Sequence, residues 1–220
     1  MACRCRGLGM MIALAALAAG AGGCNYFRPA TAPGTSAPPV PQDYSQPDAT
    51  LETIRLAVEA KGQSGAAEAY VGAFADSTAN EIPGYHQFFW PEDAAAWKAA
   101  NKTVPSDWNL KLERLFYNYS QRSLVNLRPE PYQMIWEPDP DNSDRQDVNP
   151  SILHRRYTLL AIGATGEAAE VIARGFADLT LHHAGNGNWY ITRWEDRPDP
   201  VLVDPKLPQV TWGQRRLESQ

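Results

Sequence analysis

Apolar positions recur at spacings of three and four in the first half of the folded part of the chain and alternate in the second. Leu51, Ile54 and Val58 form one helical stripe, with Asp48 and Thr50 ahead of it as capping residues and Gly62 behind it as a stop. Ala67, Tyr70 and Phe74 form another, opening after Ser64. Pro91, Glu92 and Asp93 have the chemistry of a helical first turn: proline where no amide is needed, and acids at the positive end of the dipole. They lead a third helix through Ala94 to Ala100, which carries Trp97. Trp108, Leu112, Leu115 and Tyr119 predict a fourth, entered from Pro105, Ser106 and Asp107.

From Tyr132 the period falls to two. Tyr132, Met134 and Trp136 alternate with polar neighbours, and longer β-rich runs span 152–163, 170–183 and 189–197. Pro138 and Pro140, followed by a run of acids, mark a loop. Gly185, Asn186, Gly187 and Asn188 predict a tight hairpin between the last two runs, because Asn and Gly tolerate positive φ. Helices followed by antiparallel strands predict an α+β domain with its helices packed on one face of the sheet.

The N-terminus follows neither period. Arg4 and Arg6 precede an apolar run from Leu8 to Ala19, which ends in Gly20, Ala21, Gly22 and Gly23 directly before Cys24. The run is short for the ~20 residues of a stable spanning helix, and small residues before a cysteine suit a signal peptidase. Cys3 and Cys5 lie inside the segment to be removed, so the mature chain keeps one thiol and forms no internal disulfide. This stretch resembles the lipobox of bacterial lipoproteins, with Ala21 where leucine is usual. The resemblance implies that Cys24 is acylated and becomes the first residue. Asn25, in place of a retaining aspartate, then points to the outer membrane facing the periplasm.

Prolines at 29, 33, 38, 39, 41 and 47, among Ala, Thr, Ser and Gly, predict an extended tether over 24–49. The expected layout is a signal over 1–23, the tether, a domain over 50–200 and an extension over 201–220. Removal of the signal takes two arginines and no acids, so the net charge moves from −5 to −7. That sign argues against nucleic acid and against adhesion to anionic lipid, leaving the lipid anchor as the expected membrane contact.

The helix order and the meander ending in Trp189, Tyr190 and Ile191 resemble the nuclear-transport-factor-two-like cone fold. So do the segments Gly175–Leu179 and Trp189–Arg197, which also resemble those of bacterial lipoproteins with this fold. The superfamily includes ketosteroid isomerase and polyketide-cyclase-like proteins. The resemblance covers about residues 48–200. It implies helices in the concave face of a curved antiparallel sheet, around a pocket for a small apolar ligand or a partner protein of the envelope.

Candidate chemistry is sparse. There is no phosphate-binding glycine loop, no Cys-x-x-Cys and no Gly-x-Ser-x-Gly, and no cofactor is expected. His182 and His183 are adjacent on a strand and point to opposite faces, so no metal site is expected there. His154, Asp178 and Arg193 interrupt apolar strand faces. They either line the mouth of the cone, where an acid–base role would be open to His154 or Asp178, or pair across strands on the solvent face. Trp97, among alanines, is the candidate floor of a ligand pocket. Arg215 and Arg216 follow Trp212 and Gly213, where closing the core or binding a partner are the alternatives.

Overall fold

The computed structural model describes residues 39–60, 62–127, 131–162, 169–199 and 210–220; for 121–127 only the backbone is considered. The signal segment, Cys24 and the tether up to residue 38 lie outside the described residues. Residues 38–220 form one compact unit. Its helices are α1 (Pro47–Glu59), α2 (Ala66–Gly72), α3 (Ser77–Asn80), α4 (Pro91–Ala99), α5 (Leu110–Leu127) and α6 (Trp212–Glu218). Its strands are β1 (His86–Phe88), β2 (Tyr132–Pro138), β3 (Ser151–Ala161), β4 (Glu170–His183) and β5 (Trp189–Arg197).

The fold class is α+β. Five strands lie in the order β1-β5-β4-β3-β2, and bulges at Leu159/Leu160 and Thr180/Leu181 bend the sheet. The pairs β2–β3, β3–β4 and β4–β5 are antiparallel, but β1 runs parallel to β5 with Gln87 opposite Trp194. The sheet is therefore mixed, which corrects the purely antiparallel expectation. Three residues of β1 are too few to show a period, so the strand was not legible. The β4–β5 hairpin closes where expected, with Ala184 N donating to Asn188 O at 2.8 Å. The positive φ there falls on Gly187, at 84°.

One face of the sheet carries the core. Along β3 the odd positions Leu153, Tyr157 and Leu159 are buried, while the even positions are only partly covered. Leu179 and Leu181 of β4 and Ile191 and Trp194 of β5 continue that buried face. Ile54, Ala57 and Val58 of α1 and Tyr70 of α2 pack against it. Arg155 fixes the start of α1, reaching Asp48 at 2.7 Å and Asp144 at 2.6 Å.

Two boundaries differ from expectation. Packing begins before residue 50: Val40 is buried, Tyr44 Oη donates to Ala69 O at 2.9 Å, and Trp189 N donates to Tyr44 O at 2.7 Å. Beyond residue 200, the expected extension holds α6, which packs on β4, β5 and α4. Its N-terminus is a capping box, with the Thr211 side chain accepting from Gln214 N and Gln214 reaching back to Thr211 N.

The stripe expected on α5 is also displaced. Leu115 and Tyr119 are 53% and 46% exposed, whereas Glu113, Phe116, Tyr117 and Ser120 face inward. That spacing is helical, but a carboxylate heads it, and apolar periodicity alone assigns a glutamate to solvent.

Candidate functional site, a polar centre sealed by the C-terminal helix

Glu113 is the centre of the buried polar groups. Neither it nor Arg216 has any exposed side-chain surface, and Arg216 Nη2 donates to Glu113 Oε1 at 2.8 Å. Arg216 Nε adds a bond to Glu113 Oε2 at 2.9 Å. Tyr70 Oη donates to Oε1 at 2.6 Å, and Trp108 Nε1 donates to Oε2 at 2.7 Å. The Tyr85 hydroxyl stands 3.0 Å from Gln87 Oε1 and 3.4 Å from Glu113 Oε2. A buried carboxylate survives only with this degree of pairing. Burial holds the Tyr70 and Tyr85 hydroxyls well above the usual tyrosine range, and the Glu113 charge pushes the same way. Both are therefore neutral donors at physiological pH.

A second carboxylate meets the same helix at its N-terminus. Asp196, on the inner face of β5, accepts from Tyr157 Oη at 2.7 Å and from Gly213 N. Tyr157 Oη in turn accepts from Trp212 N at 2.7 Å. Complete burial pushes the Asp196 carboxyl up to about 7, against the Tyr157 and Gly213 hydrogen bonds and the Arg216 charge, which favour its ionised form. Gly213 is needed for this approach, since a Cβ there would lie 3.0 Å from Asp196 Oδ2. Asp93 of α4 completes the dock: it accepts from Thr211 Oγ1 at 2.9 Å and Gln214 Nε2 at 2.6 Å, and burial raises its pKa.

Aromatic rings wall this centre. Tyr70 stacks on Tyr117 with centroids 4.5 Å apart, Phe116 meets Trp212 edge-on at 5.3 Å, and the Arg216 guanidinium lies 4.3 Å from the Trp194 ring centroid. Arg216 thus closes the core, one of the two roles open to it from the sequence.

The residues expected to carry chemistry lie elsewhere. His154 and Asp178 are opposite each other on β3 and β4, with His154 Nδ1 2.7 Å from Asp178 Oδ1. They occupy the parity opposite to Leu153, Tyr157 and Leu179, so they point away from the core as a cross-strand pair. Asp178 also lies 3.7 Å from Arg197. Arg193 is half-exposed, pairs with Glu195 at 2.6 Å and covers the Phe88 ring at 4.2 Å. Trp97 is half-buried under Lys102, whose Nζ is 3.8 Å from its ring centroid, and it does not belong to the main core cluster. The structure brings His154 and Asp178 together and leaves Arg193 and Trp97 apart from them.

Glu113, Tyr70, Tyr85, Trp108 and Tyr157 were not singled out as a constellation from the sequence. One signal was available: Thr211, Trp212, Gly213 and Gln214 spell a capping box, which marks a helix start after the predicted domain end.

No protein-family model matches the chain, and no curated protein matches it. Solved structures align at low identity. A function-unknown protein from Mycobacterium tuberculosis, Rv3472, is 13% identical, with 78% of this chain and 89% of that one covered and a TM-score of 0.47. The beta subunit of an aromatic-ring-hydroxylating dioxygenase from Novosphingobium aromaticivorans is 10% identical, with 76% and 95% covered and a TM-score of 0.41. Naphthalene 1,2-dioxygenase with indole bound is 10% identical, with 71% and 79% covered and a TM-score of 0.41.

Proposed function

We propose that the chain is a lipid-anchored, non-catalytic module of the bacterial cell envelope whose α+β domain binds a small, largely apolar molecule. The observation that carries this reading is the saturation of Glu113. Both of its oxygens are taken by Arg216, Tyr70 and Trp108, all from the protein itself. A carboxylate so occupied ties α2, α5 and α6 together and has no lone pair free for proton transfer to a substrate. A groove lined largely by Pro39, Val40, Pro41, Leu56 and Ala60 supplies apolar contact area for a ligand.

An acid–base enzyme using His154 or Asp178 was the alternative. It required at least one of them inside the domain, and both face outward. Anchoring is supported by the lipobox-like stretch before Cys24 and by the loss of both other cysteines with the signal. Asn25 supports the outer membrane.

Two measurements test the proposal. Labelled palmitate should enter the wild-type chain, and Cys24→Ser should yield unprocessed or released protein; unchanged membrane fractionation of that variant sinks the anchor. Mass spectrometry of an organic extract of the purified chain should find a co-purifying apolar compound. Turnover of an isomerase, dehydratase or hydrolase substrate by the purified chain would overturn the non-catalytic reading.

A further inference from the structure

We infer that the groove between α3, β1 and the start of α5 binds the headgroup of an amphiphile in which a phosphodiester joins an ammonium arm to an apolar tail. The groove has a volume of about 560 Å³, the size of a small-molecule site, and its charged lining is Asp76, His86, Asp107, Lys111 and Arg114. It shares no residue with the apolar groove around Leu56 and Ala60 proposed above as a ligand site, so the two fail separately.

The groove presents both signs of charge. Lys111 and Arg114 lie three residues apart on α5 and share one face of it. Both are exposed, and neither pairs with a carboxylate among the described residues. Asp76 caps α3 through Oδ1, which accepts from Thr78 N at 2.9 Å and Ala79 N at 3.2 Å. Its Oδ2 has no donor among the described residues and is open to one. Asp107 faces His86 Nδ1 through Oδ1 at 2.9 Å and accepts from Asn109 Nδ2 through Oδ2 at 3.3 Å. The first-turn amides of α5 are not the donors, since Asn109 Oδ1 accepts from Lys111 N and Leu112 N. A plain anion in the groove meets both carboxylates, and a plain cation meets Lys111 and Arg114. A zwitterion satisfies the two signs at once.

The apolar part of the ligand is selected by the same helix. Lys111, Leu115 and Tyr119 recur every four residues, so one stripe runs from the charged groove along α5. Leu115 and Tyr119 are two of the four large apolar side chains exposed among the described residues. A stripe that begins in a charged groove and continues as bare apolar surface fits a ligand with a charged head and an apolar tail. A phosphodiester joins the three parts, with one ester arm leading to an ammonium and the other to the tail. A free amino acid has no tail to cover Leu115 and Tyr119. The net charge of −5 disfavours a headgroup that is purely anionic.

The test titrates the full chain by calorimetry with three probes below their micelle concentrations. Dihexanoylphosphatidylethanolamine carries all three parts. Dihexanoylphosphatidylglycerol keeps phosphate and tail without the ammonium, and glycerophosphoethanolamine keeps the headgroup without the tail. The first is expected to bind severalfold more tightly than the second and about tenfold more tightly than the third. Lys111→Gln and Arg114→Gln should each weaken all three probes severalfold. Asp76→Asn keeps a cap on α3 and should weaken only the two ammonium probes. Leu115→Ser should weaken only the two tailed probes. All four side chains are exposed, so unchanged melting temperatures are expected and identify a loss of binding as a loss of contact. Equal or tighter binding of the glycerol headgroup overturns the zwitterion. Equal binding with and without the tail assigns the groove to a free phosphate ester and overturns the amphiphile. Absence of binding, or binding that none of the four substitutions alters, overturns the site.

Discussion

Glu113 and Arg216 stand 103 residues apart in sequence and meet at 2.8 Å with neither side chain exposed to solvent. Their pairing joins α5 to α6 across the inner face of the sheet. It makes the C-terminal helix part of the core.

Breaking that pair from one side should cost far more than replacing both partners. Glu113→Gln leaves a buried guanidinium without a counter-charge, and we expect a loss of about 3–5 kcal/mol in urea unfolding. The double variant Glu113→Gln/Arg216→Met should recover part of it, because it removes the unpaired guanidinium and keeps an amide oxygen to accept from Tyr70 or Trp108. A loss below about 1 kcal/mol for Glu113→Gln would show that the charge pair is not a structural hub.

Stability should fall as pH rises through the neutral range. Asp196 has a raised folded-state value, about 7 against an ordinary 3.8, so the folded state holds a proton that the unfolded chain has released between those values. Stability is then fully present below about pH 4 and declines up to about pH 7, by an amount on the order of a few kcal/mol. Asp93, raised in the same direction by burial, adds to this slope. Asp139 and Asp144 are lowered by their partners and act oppositely, losing their contribution as pH falls below the ordinary range. Asp196→Asn should flatten the decline; an unchanged slope in pH-dependent denaturation would remove Asp196 as its source.

Thr211 holds α6 in two ways, as the cap that accepts from Gln214 N at 3.0 Å and as a donor to Asp93 at 2.9 Å. Thr211→Ala should cost about 1–3 kcal/mol, combining a lost cap with an Asp93 oxygen left short of a donor. Thr211→Ser keeps both bonds and should restore most of the thermal stability. Equal melting temperatures for the Ala and Ser variants would contradict the cap.

The pair on the outer face predicts the opposite behaviour. His154 and Asp178 are partly exposed cross-strand partners, so Asp178→Asn should change stability by at most about 1 kcal/mol. Ligand affinity should be unaffected. A large loss of binding in that variant would move the functional site to the outer face.

The helices and strands were mostly legible because each has its own local period or cap. Leu51, Ile54 and Val58 lie within α1, and the strand expected over 189–197 matches β5. The stripe on α5 was misread because its inward residue is a glutamate, whose burial makes sense only once Arg216 arrives from the far end of the chain. β1 was missed because three residues carry no period, and its parallel partner is more than a hundred residues away.

By itself the sequence determined the local elements, the hairpin at Gly187 and the α+β class, since these follow from periodicity and turn chemistry within a few residues. Tertiary structure alone decided which strand face is inside. Alternation is the same whichever way a strand is turned, so His154 and Asp178 looked as suitable for the interior as Tyr157 and Asp196. It also decided that a C-terminal helix seals the polar centre, because pairing Glu113 with Arg216 depends on distance in space, which no spacing along the chain records.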